Sequence, residues 1–437
     1  MNEIFLNYGI IKFPLISKIF LLPLLIYISF SKLNIIDINL IKVAFYCHSI
    51  KYGGVERVIS LLINWLYEEK RFSLYLITDK NKLEGEYPLQ NGIKRISLSE
   101  KNIDLFTVIK KTKLDIFIYN FYDKKEMEIL NQLKTTKTIY YDHSSFLIWI
   151  YRRYYNFNYT IYNRYKNCKY VISLIPIEND YLFKIWGINS ILMDNPTTFE
   201  YDSVIASDLK NKNIIMIGRA DDPIKRYDLG IKAMKNIIEE IPECIMNIIS
   251  LINENLEILI KNLQLEKYVR FLGYQRYVEI FLKNASLHIL PSLSETYPMV
   301  LSETKIFGIP SIICGLDYLA QAKGGTIIIY DDNPNSIAKE AIKILKNYTY
   351  RKNLGEEARK SMKKYKNKFI IEKWVKLIIS VYNGDKSYQE LLLNDNINKI
   401  SVKDVNQILS NQLKLFEKRN PQFKKLTIEN FKSYSFQ

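Results

Sequence analysis

The sequence predicts an α/β protein in which two doubly wound, Rossmann-like domains follow one another along the chain. Short runs rich in β-forming residues alternate with stretches whose apolar residues recur at helical spacing, which is typical of parallel sheets covered by helices. The alternation restarts after the turn-forming stretch DNPTT at 194–198, so we expect two sheets facing a cleft. The 437 residues suffice for two domains of ordinary size.

The first half contains four apolar runs that we predict to be strands. The first run is followed by the double glycine Gly53-Gly54, after which Val58, Leu62 and Leu66 recur at helical spacing. Strand, glycine loop and helix therefore begin the first domain. The predicted strands are 41–47, 73–78, 115–119 and 138–141.

The second half repeats this pattern. The run NIIMI at 213–217 is followed by Gly218 and a predicted helix through 229–238. Further strands are predicted at 244–251, 269–272, 287–290, 311–314 and 326–330, with helices at 255–262, at 278–283 and from about Pro298.

Segments at both chain ends extend beyond these domains. The predicted division is an apolar segment 1–36, a first domain 37–196, a second domain 197–366, a helix 367–382 and a partly helical tail 383–437. The uncharged run 19–30 is too short to span a bilayer, which leaves a membrane-interface anchor or a helix packed on the body.

The tail has the signals of one amphipathic helix. Ser401 to Asp404 resembles a capping box, and an apolar face follows it. This face fits the protein body, a partner or a membrane equally well. It consists of Val405, Ile408, Leu409, Leu413 and Phe416.

The composition is that of a folded, basic protein. Hydrophobic residues make up 48% and charged residues 25%, and the net charge is +16. The positive charge is spread along the chain and no nucleic-acid-binding motif accompanies it, so we favour anionic lipid head groups over nucleic acid as the polyanionic partner. The four cysteines are widely spaced, which indicates buried free thiols in a reducing cytoplasm.

Two motifs are suited to binding a phosphate group. The glycines of Gly53-Gly54 let the backbone approach a ligand, and the N–H groups of the following helix point towards it, although a simple tight turn explains them equally well. Arg219 and Lys225 can grip a diphosphate from two sides and stabilise the charge that develops on it as a leaving group. Solvated surface charge is the alternative for this pair.

A third motif, ETYPMVLSE, places Glu295 in a loop and Glu303 in the helix that follows. Pro298 fits the first turn of that helix. The free N–H groups around Tyr297, Pro298, Met299 and Val300 would face the same pocket as Glu295. Carboxylates there can accept hydrogen bonds from sugar or ribose hydroxyls, although ordinary helix surface charge is the alternative.

A histidine supplies the fourth candidate. His143 follows the strand TIYY, where it can face the cleft and hydrogen-bond a reacting sugar or hydroxyl. His48, near the glycine loop, is the main rival, and His288 lies inside a predicted strand and is expected to be buried. A purely structural role is the alternative for each histidine.

Taken together, these motifs resemble the group 1 glycosyltransferases, the retaining family 4 with the GT-B fold. The resemblance covers about 42–382 and is carried by IGRADDPIKRYDLGIKAM and by PSLSETYPMVLSETKIFGIP. It implies two Rossmann-like domains, for acceptor and donor respectively, and a C-terminal helix that crosses back to the first domain. The family's glycine-containing turn after the second strand of the donor domain is replaced here by ISLIN at 249–253.

The resemblance also implies roles for the candidate residues. Arg219 and Lys225 would hold the donor diphosphate, Glu303 would bind the ribose, and Glu295 would contact the donor sugar. Gly54 would approach the diphosphate or the acceptor, and His143 would lie beside the reacting carbon. Members need no metal or other cofactor, and the chain contains no Asp-x-Asp triplet.

The expected function is transfer of a hexose from a nucleotide-sugar donor to a lipid-linked or surface-glycan acceptor such as a capsule or lipopolysaccharide precursor, and the expected donor is a UDP-sugar. The enzyme would work in the cytoplasm at the inner face of the cell membrane. The alternatives are a nucleotide-sugar enzyme of the same fold, such as an epimerase, a phosphorylase, or a non-catalytic scaffold of a glycan assembly complex.

Overall fold

A computed structural model describes residues 40–51, 53–120, 132–133, 135–143, 165, 168–251, 253–385 and 401–419. The predicted membrane-interface anchor in 1–36 lies outside the described residues, as does the part of the tail beyond residue 419. Helices and strands are numbered here in chain order within the described part.

The first domain is built on a seven-stranded sheet in which all strands are parallel, in the order β3-β2-β1-β4-β5-β6-β7. The strand with the sequence IKVAFYC is buried from Val43 to Cys47 because helices cover both faces of the sheet. The strands are β1 (Ile41–Cys47), β2 (Phe72–Thr78), β3 (Lys94–Ser97), β4 (Ile116–Tyr119), β5 (Lys137–Tyr141), β6 (Tyr170–Ser173) and β7 (Ser190–Leu192). The described helices of this domain are α1 (Gly54–Glu68), α2 (Leu98–Lys101), α3 (Leu105–Thr112) and α4 (Pro176–Lys184).

The second domain has a six-stranded parallel sheet in the order β10-β9-β8-β11-β12-β13. Its strands are β8 (Asn213–Ile217), β9 (Ile245–Ile249), β10 (Val269–Phe271), β11 (Leu287–Leu290), β12 (Ser311–Cys314) and β13 (Thr326–Ile329). Its helices are α5 (Tyr227–Glu240), α6 (Glu254–Asn262), α7 (Glu279–Lys283), α8 (Met299–Ile306), α9 (Pro334–Lys346) and α10 (Tyr348–Ser361), with 3-10 turns at Pro223–Lys225 and Met362–Tyr365.

The two parallel sheets confirm the predicted fold class. The predicted strands are present with ends that differ by one or two residues, and three strands of the first sheet, β3, β6 and β7, were not predicted. β3 and β7 are the short edge strands of that sheet.

A long helix, α11 (Asn367–Asn383), returns from the second domain to the first. Its apolar face joins the core formed by α1 and one face of the first sheet. Trp374 is completely buried there, and its ring lies 5.0 Å from that of Tyr141. The predicted crossover helix is therefore confirmed.

The tail contributes a helix, α12 (Val402–Arg419), that packs on α4 at the other face of the first sheet. The predicted capping box is present, since Asp404 N–H donates to Ser401 Oγ at 3.1 Å and Ser401 N–H donates to Asp404 Oδ2 at 3.2 Å. Leu409 is fully buried, whereas Ile408, which we expected on the same face, is 38% exposed.

The four cysteines, all of them among the described residues, form no disulfide, and each of them is buried. Within the part of the chain that the structure describes, no helix combines the length and the apolar character needed to span a bilayer.

Candidate active site at the carboxyl edges of the two sheets

The strand orders define one switch point in each sheet, where consecutive connections leave in opposite directions. In the first sheet it lies between β1 and β4, and in the second between β8 and β11. Ligands of open parallel sheets bind in the crevice that forms outside the carboxyl ends of such strands. The glycine loop follows β1, the Arg219 loop follows β8 and the Glu295 loop follows β11, so topology places the predicted motifs at these two crevices.

Lys225 and Glu295 form an ion pair with 2.7 Å between Nζ and Oε1. Their side chains are 22% and 9% exposed, so solvent screens the pair only in part. Lys225 ends the 3-10 turn whose first N–H groups are capped by Asp222, with 3.1 Å between Ile224 N and Asp222 Oδ1. A cation and a carboxylate that are both predicted to contact the sugar donor are therefore adjacent, on the loops that follow two neighbouring strands.

The backbone of Glu295 is held by Tyr318. The Tyr318 hydroxyl accepts from Glu295 N–H at 3.1 Å and donates to Glu295 O at 2.9 Å. Burial raises the pKa of Tyr318 to about 12, so this hydroxyl stays protonated and keeps its donor. The sequence offered no signal for Tyr318, because 23 positions that include α8 and β12 separate it from Glu295.

Arg219 is the most exposed cation of the site, with 72% of its side chain accessible and an ion pair of 3.0 Å to Asp222. Its charge also acts on Glu56 in the first turn of α1. Burial raises the pKa of Glu56, and the Arg219 charge opposes that rise. The loop after β8 therefore lies across from the glycine loop of the first domain.

The ISLIN stretch still anchors the Arg219 loop, although it lacks a glycine. Ser250 Oγ accepts from Ala220 N–H at 2.8 Å, and Asn253 caps α6 by accepting from Leu256 N–H at 3.2 Å. A hydroxyl and a side-chain amide thus stabilise this turn on the nucleoside side of the predicted site.

Glu303 is almost completely buried, with 2% of its side chain exposed. Its Oε1 accepts from Arg57 Nη1 and from Thr198 Oγ1, each at 2.6 Å. The pKa of Arg57 is raised above its ordinary range, and the negative charge of Glu303 is the largest cause. Arg57 lies at the end of the segment GGVER at 53–57, but neither it nor Thr198 was predicted to have a role.

The glycine loop lies against the start of α8. Gly53 has φ +110° and a Cβ there would collide with the Glu56 carboxylate, so this position requires glycine. A Cβ on Gly54 would lie 3.8 Å from Met299 Cγ, an ordinary contact. Gly54 therefore faces the second domain, but the steric requirement for glycine lies one residue earlier.

The four residues around the start of α8, Tyr297 to Val300, are buried or half-buried. The helix begins at Met299, so Pro298 precedes it, and the prediction that Pro298 lies in its first turn is wrong by one residue. Tyr297 and Met299 are buried against the core of the first domain, and Val300 is half-buried. The first N–H groups of α8 have no partner within the helix, as at any helix start.

His143 follows β5, at the carboxyl edge of the first sheet. Burial lowers its pKa to about 3, so the ring is neutral near pH 7. Its Nε2 is buried and has no hydrogen-bond partner among the described residues. The ring lies 4.1 Å from that of Tyr141, whose hydroxyl donates to Asn195 at the domain junction.

The other two histidines differ from His143 in their partners. His48 contacts the Asp79 carboxylate through Nδ1, and half of its side chain is exposed. His288 is fully buried in β11, as predicted, with 3.1 Å between its Nδ1 and Ser311 Oγ. Within the described ranges, no three His, Cys, Asp or Glu side chains are grouped so as to hold a metal ion. Metal independence stays a prediction.

Comparisons with known proteins agree with this architecture. Residues 198–361 match the family model of the glycosyl transferases group 1. The chain is 24% identical over 375 residues to a Campylobacter jejuni protein named GalNAc-alpha-(1->4)-GalNAc-alpha-(1->3)-diNAcBac-PP-undecaprenol alpha-1,4-N-acetyl-D-galactosaminyltransferase, covering 79% of this chain and 100% of the relative. It is also 27% identical over 173 residues to the N-acetyl-alpha-D-glucosaminyl L-malate synthase of Bacillus anthracis, covering 38% and 44% of the two chains.

Solved structures share the fold. The sucrose-phosphate synthase of Thermosynechococcus elongatus superposes with a TM-score of 0.64 at 15% identity, covering 79% of this chain and 100% of that one. Anabaena HepE, solved in complex with UDP and glucose, gives a TM-score of 0.61 at 13% identity, covering 78% and 100%. These likenesses show a GT-B fold.

The fold and the family match together define a glycosyltransferase enzyme of the GT-B class. Within that class, residues 198–361 match the group 1 glycosyltransferases.

Proposed function

We propose that this enzyme transfers a hexose from a UDP-sugar to a lipid-linked or surface-glycan acceptor, with retention of the anomeric configuration. The observation that carries the proposal is the Lys225–Glu295 ion pair at the switch point of the second sheet, across from the glycine loop of the first. A cation beside a carboxylate can receive the diphosphate and the sugar of one donor molecule.

Lys225 and Arg219 are proposed to bind the diphosphate. Negative charge builds on this group as the glycosidic bond breaks, so cations already in place stabilise the transition state more than the ground state. Arg219 is exposed and, among the described residues, pairs with nearby Asp222, which leaves its fork able to turn towards a ligand. Arg57, on the opposite side of the crevice, is a third cation within the same region.

Glu303 is proposed to bind the ribose hydroxyls. Its Oε1 already accepts two hydrogen bonds, from Arg57 and Thr198, so donor hydroxyls would use Oε2 or replace one of these partners. If the ribose displaces Arg57, the guanidinium is released beside the diphosphate. Glu295 would contact the hexose hydroxyls from the other end of the ETYPMVLSE motif.

His143 is proposed to hydrogen-bond the transferred sugar. A neutral ring with a buried Nε2 can serve as donor or acceptor for a hydroxyl without the cost of desolvating a charge. Retention is proposed through attack on the face that the diphosphate leaves, with the leaving group accepting the proton of the acceptor hydroxyl. A double displacement would instead need two opposed carboxylates.

The acceptor is proposed to be membrane-bound. The C. jejuni relative carries an undecaprenol-linked acceptor in its name, and the net charge of +16 favours association with anionic lipid. We place the enzyme in the cytoplasm, peripherally associated with the inner face of the cell membrane.

The Lys225→Ala variant tests the donor site. Loss of this cation should lower kcat/KM about 100-fold to 1000-fold, the usual effect of removing one group that stabilises developing negative charge. The measurement is transfer from a radiolabelled UDP-hexose to membranes, and the anomeric configuration of the product is read by NMR. Lys235→Ala is the matched control, because Lys235 is exposed on α5, ten residues further along the chain.

Three results would contradict the proposal. The first is native protein that neither transfers nor hydrolyses any UDP- or GDP-sugar. The second is a Lys225→Ala variant as active as Lys235→Ala. The third is an inverted product, which would refute retention alone. A thermal-shift screen of UDP, GDP and their sugars identifies the base beforehand, since a ligand that binds the folded state raises the melting temperature.

A further inference from the structure

The C-terminal helix α12 is joined to the first domain through an apolar face. Val405, Leu409, Leu413 and Phe416 are all buried and belong to the same core cluster as Tyr181 of α4. The helix therefore has one fixed position on the first domain. Its last residue, Arg419, leaves that core and enters the second domain.

Arg419 reaches loops at the carboxyl ends of three neighbouring strands of the second sheet. Its Nε lies 2.6 Å from Asp332 Oδ2, beyond the end of β13, and 3% of its side chain is exposed. Its Nη1 and Nη2 donate to the carbonyl oxygens of Leu293 and Ser292, after β11, at 3.4 and 3.3 Å. A Cβ on Gly315, after β12, would collide with the guanidinium. One side chain thus ties together the loops after β11, β12 and β13.

Two of the residues that Arg419 contacts, Leu293 and Asp332, also contact the neighbours of Lys225 in the chain. Leu293 lies two residues before Glu295, and its N–H donates to Ile224 O at 2.8 Å, immediately before Lys225. Asp332 also pairs with Arg226 at 2.7 Å, immediately after Lys225. Lys225 is therefore held on both sides by residues that Arg419 contacts.

We propose that α12 is a positioning element of the donor site and that Arg419 is its positioning residue. This inference rests on the proposed function, because it assumes that Lys225 and Glu295 bind the donor diphosphate and sugar. Arg419 does not touch the donor in this account. It holds the 292–295 loop and the Asp332–Arg226 pair, and through them it sets the separation of Lys225 and Glu295.

The electrostatics of this junction favour an arginine. Asp332 is 10% exposed and lies between two guanidinium groups, which together stabilise its largely buried charge. The planar fork offers separate nitrogens to one carboxylate and two carbonyls, whereas a lysine would have to reach all three acceptors from a single nitrogen. Without Arg419, Arg226 becomes the sole partner of Asp332, and the turn that carries Lys225 loses one of its supports.

The test compares UDP binding by the native enzyme and by Arg419→Gln, using isothermal titration calorimetry at a temperature where both are folded. We expect Arg419→Gln to weaken UDP binding about tenfold, which corresponds to the coupling found for residues of one hydrogen-bond network. Lys418→Gln is the matched control, since it removes the same charge from an exposed neighbour on the same helix, and its Kd should stay within about twofold.

A second variant tests the same contact between Arg419 and Asp332 by changing its residue in the second domain. Asp332→Asn keeps the side-chain volume and removes the charge, so it should also weaken UDP binding. Because both residues act through one contact, the Arg419→Gln/Asp332→Asn double variant should be little worse than the weaker-binding single variant. Asp332→Asn decides the matter alone if Arg419→Gln fails to fold.

The outcomes separate this inference from the function on which it rests. A melting temperature lowered by Arg419→Gln with an unchanged Kd for UDP would overturn this inference alone, since α12 would then be a purely structural support. Additive effects of the two substitutions would overturn it as well. Native enzyme that binds neither UDP nor GDP would overturn the proposed function and this inference together.

Discussion

At the scale of single residues, the site consists of charges whose partners come from distant parts of the chain. Arg57 and Glu303 are separated by 246 positions, yet 2.6 Å separates their nearest side-chain atoms. Glu303 is buried, so removing Arg57 would leave a carboxylate whose desolvation is compensated by one hydroxyl, that of Thr198. This pair also links the first domain to the second.

Arg57→Gln should therefore destabilise the protein by about 2 kcal/mol, the usual effect of losing a hydrogen bond to a buried charge. Glu303→Gln alone should destabilise it less, because an amide does not need a counter-charge. The coupling from a double-mutant cycle, read from thermal unfolding, should be about 1–3 kcal/mol. Additive effects would show that the two residues do not interact in solution.

At the scale of elements, the tail helix α12 packs on the first domain through one apolar face, which the amphipathic pattern predicted only in part. Leu409 is fully buried against the first domain, whereas its neighbour Ile408 is 38% exposed. The pattern specified a helical face, but the packing partner α4 decided how wide that face is.

These neighbours make a matched pair for testing the docking of α12. Leu409→Ala should lower the free energy of unfolding by about 2–5 kcal/mol, because it removes a buried side chain and leaves a cavity. Ile408→Ala should lower it by less than about 1 kcal/mol. Equal effects of the two substitutions on thermal unfolding would mean that α12 is not docked as described.

For the two short edge strands, β3 and β7, the element as a whole was not predicted from the sequence. β3 has the sequence KRIS, with two charged residues, and β7 has only three residues. Edge strands bury less of their surface and tolerate charge, so they lack the apolar run that identified β1 or β8. Their identity depends on pairing with β2 and β6, which no local pattern records.

At the scale of the whole molecule, the histidines link stability to pH. Burial lowers the pKa of His143 and of His288 to about 3, with the charge of Lys305 adding to the shift at His288. In the unfolded chain both titrate near the ordinary value of 6.5. The unfolded state therefore binds more protons than the folded state between about pH 6.5 and 3.

Stability should accordingly fall as the pH drops below about 6.5, by up to about 1.4 kcal/mol per pH unit for each histidine. His288→Asn removes one of these titrations, so its unfolding free energy should depend less steeply on pH between 6 and 5 than that of the native protein. Thermal unfolding at several pH values provides the measurement. Parallel curves would mean that His288 binds its proton equally well in both states.

The overall architecture settles one alternative considered from sequence. The family match and the GT-B fold support an enzyme, and the turn that lacks the family glycine is held by Ser250 and Asn253 instead. The missing glycine was the main reason to consider a non-catalytic scaffold, and this reason no longer applies because the turn is stabilised without it.

The sequence by itself determined most of the local elements, the division into two parallel sheets and the motifs at their carboxyl edges. Strand and helix patterns, the GGVER loop and the ETYPMVLSE segment depend on residues close together in the chain, so their periodicity and spacing are readable. Only the tertiary structure decided that Glu303 pairs with Arg57, that Tyr318 holds Glu295 and that Arg419 closes on Asp332. Such partners lie far apart in the chain and are brought together only by the packing of whole elements, within the second domain for Tyr318 and Glu295 and between the two domains for the other two pairs, so no short-range pattern encodes them.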